Sequence, residues 1–107
     1  VSFEKQAVAK TLVLPDVEGT LTAPQFGHIF SGGYAAGYYG YKWAEVLDAD
    51  AFAVFKAHGI FDPATAASFR DNILKRGGTE NPMTLYKRFK GSEPTIEALM
   101  RRDGIIK

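Results

Sequence analysis

Residues 26 to 43, FGHIFSGGYAAGYYGYKW, constrain this chain more than any other stretch. They hold five of its eleven glycines, four of its five tyrosines, one of its two histidines and its only tryptophan. Glycine lets a backbone turn sharply or approach another group closely, at an entropic cost that ordinary helices avoid. Ser31-Gly32-Gly33 therefore breaks the chain, and the pattern beyond it predicts one long glycine-started helix, from about residue 34 to residue 57, closed by His58 and Gly59. Gly59 suits the left-handed position just past a helix end. Inside such a helix Gly33, Gly37 and Gly40 would each cost about 1 kcal/mol against alanine. With Ala44 they would line one face as a smooth stripe, which another backbone can approach closely. A helix begun this way is expected to lean on a neighbour.

The rest of the chain reads as mainly α, and 107 residues make about one domain or a fragment of one. Residues 1 to 11 predict a helix with Phe3, Ala7 and Val8 on one face. Leu12 to Leu14 form a short apolar run, either a strand or an extended anchor, stopped by Pro15. Residues 15 to 24 are a Pro- and Gly-spaced connector. Residues 25 to 30 have the alternation of a short strand before the glycine loop, with Phe26, His28 and Phe30 on one side. Three short C-terminal helices follow. Asp62 caps and Pro63 begins the first, with Ala66, Phe69, Ile73 and Leu74 apolar and Gly77-Gly78 as its end. Asn81 and Pro82 begin the second, with Leu85, Tyr86 and Phe89 inward and Gly91 as the stop. Ser92-Glu93-Pro94 begins the third, with Ile96, Leu99 and Met100 inward and Gly104 as the stop.

Composition excludes several classes of function. The net charge of +1 makes no field that would gather nucleic acid or acidic lipid. The sequence contains no cysteine, so disulfides and thiolate metal sites are ruled out and a reducing compartment is compatible. No apolar run approaches membrane-spanning length, and the N-terminus lacks a signal-peptide pattern. Nucleic acid and membrane are thus not expected partners, and the expected location is cytoplasmic. The chain opens at Val1, mid-pattern, as a piece of something longer would.

The residues able to do chemistry are few. On a helix Tyr34, Tyr38 and Tyr41 stand at i, i+4 and i+7, on one face about 10 Å long. This is either a packed aromatic stripe or a set of hydroxyls lining a pocket. A tyrosine keeps its proton at neutral pH and can donate to a developing oxyanion. His28 is either a hydrogen-bonded structural histidine or a substrate contact. A metal site is not expected from these residues: there is no HExxH, no cysteine, and only His58 besides, which reads as a helix C-terminal residue facing the macrodipole. Glu45 and Asp48 share the face of Tyr41, and with Asp50 they form either an acid–base set or, more simply, a solvated or ion-paired face. The glycine loop matches neither GxxxxGK[ST] nor GxGxxG. The aromatic-basic segment YYGYKW has the mix of a single-strand stacking surface, but most basic residues lie on the distal helices.

The order of these residues carries more than their types. FGHIFSGGYAAGYYGYKWAEVLDADAF resembles the C-terminal catalytic segment of the thimet oligopeptidase family of zinc peptidases. The similarity runs on through GIFDPATAASFRDNILKRGGTENPMTLYKRFKGSEP, and back through FEKQAVAKTLVLP, so it covers nearly the whole chain and is closest to the bacterial oligopeptidase branch. The resemblance implies a largely helical peptidase that cleaves short peptides in a deep channel, with zinc held by the histidines of HExxH and a later glutamate, all upstream of this segment. It implies that His28 contacts the substrate backbone, that Tyr34 positions substrate and reaches the reacting centre, and that Tyr41 stabilises the oxyanion. Tyr38 matches a further tyrosine of the motif, and Gly32 and Gly33 match a loop that adjusts as peptide binds. The implied cofactor is zinc in the parent, with none bound here. The implied partners are a short peptide and the missing N-terminal part of the parent. This chain alone is expected to be inactive and, with one face shaped for absent neighbours, to self-associate or rearrange. The competing expectation is a non-catalytic helical binding domain that uses the tyrosine face as a docking surface.

Overall fold

The computed structural model describes residues 2–107; Val1, where the first predicted helix begins, lies outside them. Among the described residues there is no strand, and six α-helices are joined by turns. The chain divides into two compact units, Val1–Tyr39 and Gly40–Lys107.

In the first unit, α1 spans Ser2–Val8 and stops short of the expected end. The backbone amides of Thr11 and Leu12 close back on the carbonyl of Val8, at 2.9 and 3.0 Å. The run Leu12 to Leu14 forms no strand. The strand expected over residues 25 to 30 is also absent. That segment is a 3₁₀ turn, Ala23–Gln25, followed by the single helical turn α2, Gly27–Phe30. The physical reason is backbone satisfaction: an isolated strand finds no ladder to join, whereas a helical turn bonds within itself. Ser31 completes that turn, its amide and its hydroxyl both donating to the Gly27 carbonyl, at 2.8 and 3.0 Å. At the other end of the unit Glu4 accepts from the amides of Thr22 (2.8 Å) and Ala23 (3.3 Å), so a carboxylate of α1 caps the 3₁₀ turn. None of the described residues of this unit is buried.

The second unit begins with the long helix α3, Gly40–His58. It is glycine-started as expected, but it begins about six residues later than the spacing predicts. Gly33 and Gly37 stay in turns; the helix becomes continuous only where Gly40 is its first residue, the position at which glycine's entropic cost matters least. Gly59 follows in the left-handed region (φ 118°). Asp62 caps α4, Pro63–Phe69, by accepting from the Thr65 amide at 2.7 Å. α4 then widens into a π-helical segment, Arg70–Leu74, closed by the Lys75 amide on the Arg70 carbonyl at 2.9 Å. This wider turn shifts the side-chain directions along the segment, so Ile73 stays half-buried while Leu74 faces solvent. Asn81 caps α5, Pro82–Lys90, and Gly91 ends it at φ 90°. The last helix, α6, is Glu97–Arg102 and begins later than Ser92-Glu93-Pro94 predicts. Side-chain bonds occupy the intervening residues: Lys90 and Ser92 both donate to the Glu93 carbonyl, and Thr95 donates across to Asp50 of α3. Ile96, expected inward, is exposed.

Two clusters make the core of this unit. Val46 and Ala49 of α3 pack with Leu99 of α6, and Ala51 packs with Tyr86 and Phe89 of α5. Phe55, Phe69 and Phe89 meet with ring centroids 5.2 to 6.2 Å apart. Between the clusters Asp50 is 3% exposed and accepts from Tyr86 (2.6 Å) and Lys90 (2.7 Å).

Candidate functional site

The turn after α2 gathers the candidate residues of the first unit. The Gly32 amide donates to the Gly27 carbonyl at 2.6 Å, and the Tyr34 amide to the His28 carbonyl at 3.2 Å. These wide closures double the chain back, so Tyr34 returns to His28 with ring centroids 5.6 Å apart. The next turn is closed by the amides of Gly37 and Tyr38 on the Tyr34 carbonyl, each at 3.1 Å. It carries Tyr38 to 5.8 Å from His28 and edge-on to Phe26 at 4.6 Å. Edge-to-face packing suits the charge distribution of aromatic rings. His28, Tyr34 and Tyr38 are therefore brought together, with Phe26 as a ring that the sequence pattern placed only on a strand. Its proximity to His28, two residues on, was the available signal.

Gly32 and Gly33 play different parts. A Cβ on Gly32 would stand 3.0 Å from the His28 carbonyl oxygen and 3.3 Å from its Cα, whereas one on Gly33 would meet nothing within 4 Å. Neither glycine has a positive φ. Close approach of two backbone segments, not a left-handed conformation, is what Gly32 supplies.

Tyr41 has a different setting, in the first turn of α3, and is about half exposed. The expected single helical face carrying Tyr34, Tyr38 and Tyr41 does not form, because Tyr34 and Tyr38 precede the helix. Along α3 beyond Tyr41 the acids are ion-paired. Glu45 accepts from Lys42 at 2.6 Å and faces Arg102 at 3.4 Å, and Asp48 meets Arg102 at 2.9 Å. The Lys42 hydrogen bond, then the charges of Lys42 and Arg102, hold the Glu45 carboxyl below its usual range. Burial alone would raise the Asp50 carboxyl, but the bonds from Lys90 and Tyr86 outweigh it and bring it below that range too. Burial, together with the bond to Asp50 and its charge, pushes the Tyr86 phenol well above its ordinary value. These groups serve packing and ion pairing. His58 ends α3 with Nδ1 3.4 Å from the Thr65 hydroxyl. Among the described residues no three of His, Cys, Asp and Glu are placed to hold a metal ion. What this turn brings together is one imidazole and two phenol rings, groups able to donate and accept hydrogen bonds.

The family model described as Peptidase family M3 matches residues 3–105. The chain is 52% identical over 102 residues to oligopeptidase A of Haemophilus influenzae, which spans 95% of this chain and 15% of that protein. It is 60% identical over 80 residues to oligopeptidase A of Escherichia coli, or 75% of this chain and 12% of that protein. Dipeptidyl carboxypeptidase of Salmonella typhimurium is 40% identical over 104 residues, or 96% of this chain and 15% of that protein. The chain thus spans between 12% and 15% of the length of these relatives.

Proposed function

Because this chain belongs to peptidase family M3, we propose that it is the C-terminal segment of a zinc-dependent cytoplasmic oligopeptidase that hydrolyses short peptides. Two similar proteins are named oligopeptidase A and one dipeptidyl carboxypeptidase, which supports a peptide as the substrate class. The observation that carries the site assignment is the return of Tyr34 and Tyr38 onto His28 around Gly32. His28 and Tyr34 bind and orient the peptide backbone, Tyr38 packs against the His28 ring and joins in that binding, and the Gly32-Gly33 turn sets their approach. Tyr41 donates its hydroxyl to the oxygen on which negative charge develops. Such a donor works because it is oriented before the charge appears.

Among the described residues no three of His, Cys, Asp and Glu stand together as metal ligands. The chain has two histidines, no cysteine and no HExxH. In this reading other parts of the parent hold the metal, and the isolated chain is inactive towards peptides, with or without added zinc. The test is Tyr41→Phe in the intact parent. It should lower kcat by about a hundredfold while KM changes little, because the lost bond belongs to the transition state. An unchanged kcat removes the oxyanion role.

A further inference from the structure

We propose that the groove between α3 and α6 is a docking surface for an acidic amphipathic helix. The pattern of charge pairing in the second unit points to it. Of the ten Lys and Arg side chains from Lys42 to Arg102, eight sit in ion pairs with carboxylates. The two that do not, among the described residues, are Lys56 and Arg101, and both line this one groove. Lys56 lies over the Phe52 ring, 5.3 Å from its centroid. Arg101 senses Glu97 one turn back but forms no ion pair with it.

The shape agrees with the charge. The groove has a volume of about 390 Å³, lined by the small, buried or half-buried Ala49, Ala53 and Ala98 and by Phe52, 44% exposed. Small lining residues let another helix approach closely, and a volume of this order accepts one or two side chains. At one rim Asp48 is already neutralised by Arg102 at 2.9 Å, so the charge left without a partner is positive. The occupant that satisfies lining and rim together is a helix with aliphatic side chains on one face and carboxylates beside them. The surface uses none of His28, Tyr34, Tyr38 or Tyr41 and does not depend on the role given to them.

The test is a titration of the isotope-labelled 107-residue chain with a synthetic amphipathic peptide of about 14 residues, four helical turns. The peptide carries Leu on one face and Glu beside it. Its twin carries Gln at every Glu, and inorganic phosphate serves as a bare anion. The expected result is a set of amide shifts at Ala49, Phe52, Ala53, Lys56, Ala98 and Arg101. Binding should weaken about tenfold in the K56Q/R101Q double variant and for the Gln twin, and should fall with added salt. Ala53→Leu, which fills the groove and leaves both cations in place, should abolish it as well. Equal binding of the two peptides, or undiminished binding by the double variant, overturns the proposal. So does a phosphate titration that moves the same amides, and so does a self-associated chain whose copies already fill the groove.

Discussion

A Cβ at Gly32 would sit tighter than ordinary contact against the His28 backbone, and that separates it from Gly33. Gly32→Ala would bring a methyl to 3.0 Å from the His28 carbonyl oxygen, and the atoms it meets are backbone rather than the end of a flexible side chain. The expected cost is about 1 to 3 kcal/mol locally, as for other overpacked sites. It should appear as loss of the ring-current signature between His28 and Tyr34 and, in the intact parent, as a raised KM for peptides. Gly33→Ala should leave both unchanged, since it meets open space at an ordinary φ. If the two variants behave alike, close approach is not what Gly32 provides. The residue types of this site were legible in the sequence: an isolated histidine, paired glycines, spaced tyrosines. Their meeting was not, because it depends on two unusually wide hydrogen-bonded closures, Gly32 on Gly27 and Tyr34 on His28, which no periodicity announces.

The helices show which signals are local enough to read. Asp62 and Asn81 cap α4 and α5 with their own side chains, and Pro63 and Pro82 follow where a missing amide costs nothing. Asn81→Ala should therefore lower thermal stability by about 1 kcal/mol, the usual worth of a side-chain cap. The start of α3 is a balance rather than a signal. Gly37 has an ordinary φ, and a methyl group there would meet only open space, so Gly37→Ala should favour helix by up to about 1 kcal/mol and extend α3 backwards. Secondary chemical shifts over residues 34 to 40 would report it; if they stay turn-like, something other than glycine entropy delays the helix. The expected strand failed for want of a partner strand, and α6 began late, past Thr95, which turns to Asp50 on α3.

Over the whole molecule the two units differ in what holds them. The second is built on buried apolar clusters and on Asp50, which ties α3 to α5 through Tyr86 and Lys90. Leaving Lys90 without that carboxylate should cost about 3 kcal/mol, as when one partner of a buried pair is removed. The Asp50 carboxyl titrates lower folded than unfolded. Its stabilisation is therefore fully present above the unfolded carboxyl value, near pH 4, and is lost as pH falls through the lower folded value. Asp50→Asn should lower stability at pH 6 and flatten this acid limb in melts followed between pH 2 and 6. An acid limb as steep as in the unsubstituted chain would assign it to other carboxylates. The first unit has no buried described residue. Its amides should exchange with solvent faster than those of Val46, Ala51 and Phe89, measured by native-state hydrogen exchange.

By itself, the sequence determined the helical class, the caps of α4 and α5, and the stops at Gly59 and Gly91. Each of these is written within a few consecutive residues, where backbone freedom and hydrogen bonding compete locally. Only the tertiary structure decided that Asp50, alone among the acids of α3, is a buried strut, and that Lys56 and Arg101 share a groove. Those outcomes depend on partners up to tens of residues away, such as Lys90 for Asp50 and Arg102 for Asp48. Which distant group satisfies a charge is settled by packing, and packing has no local signature.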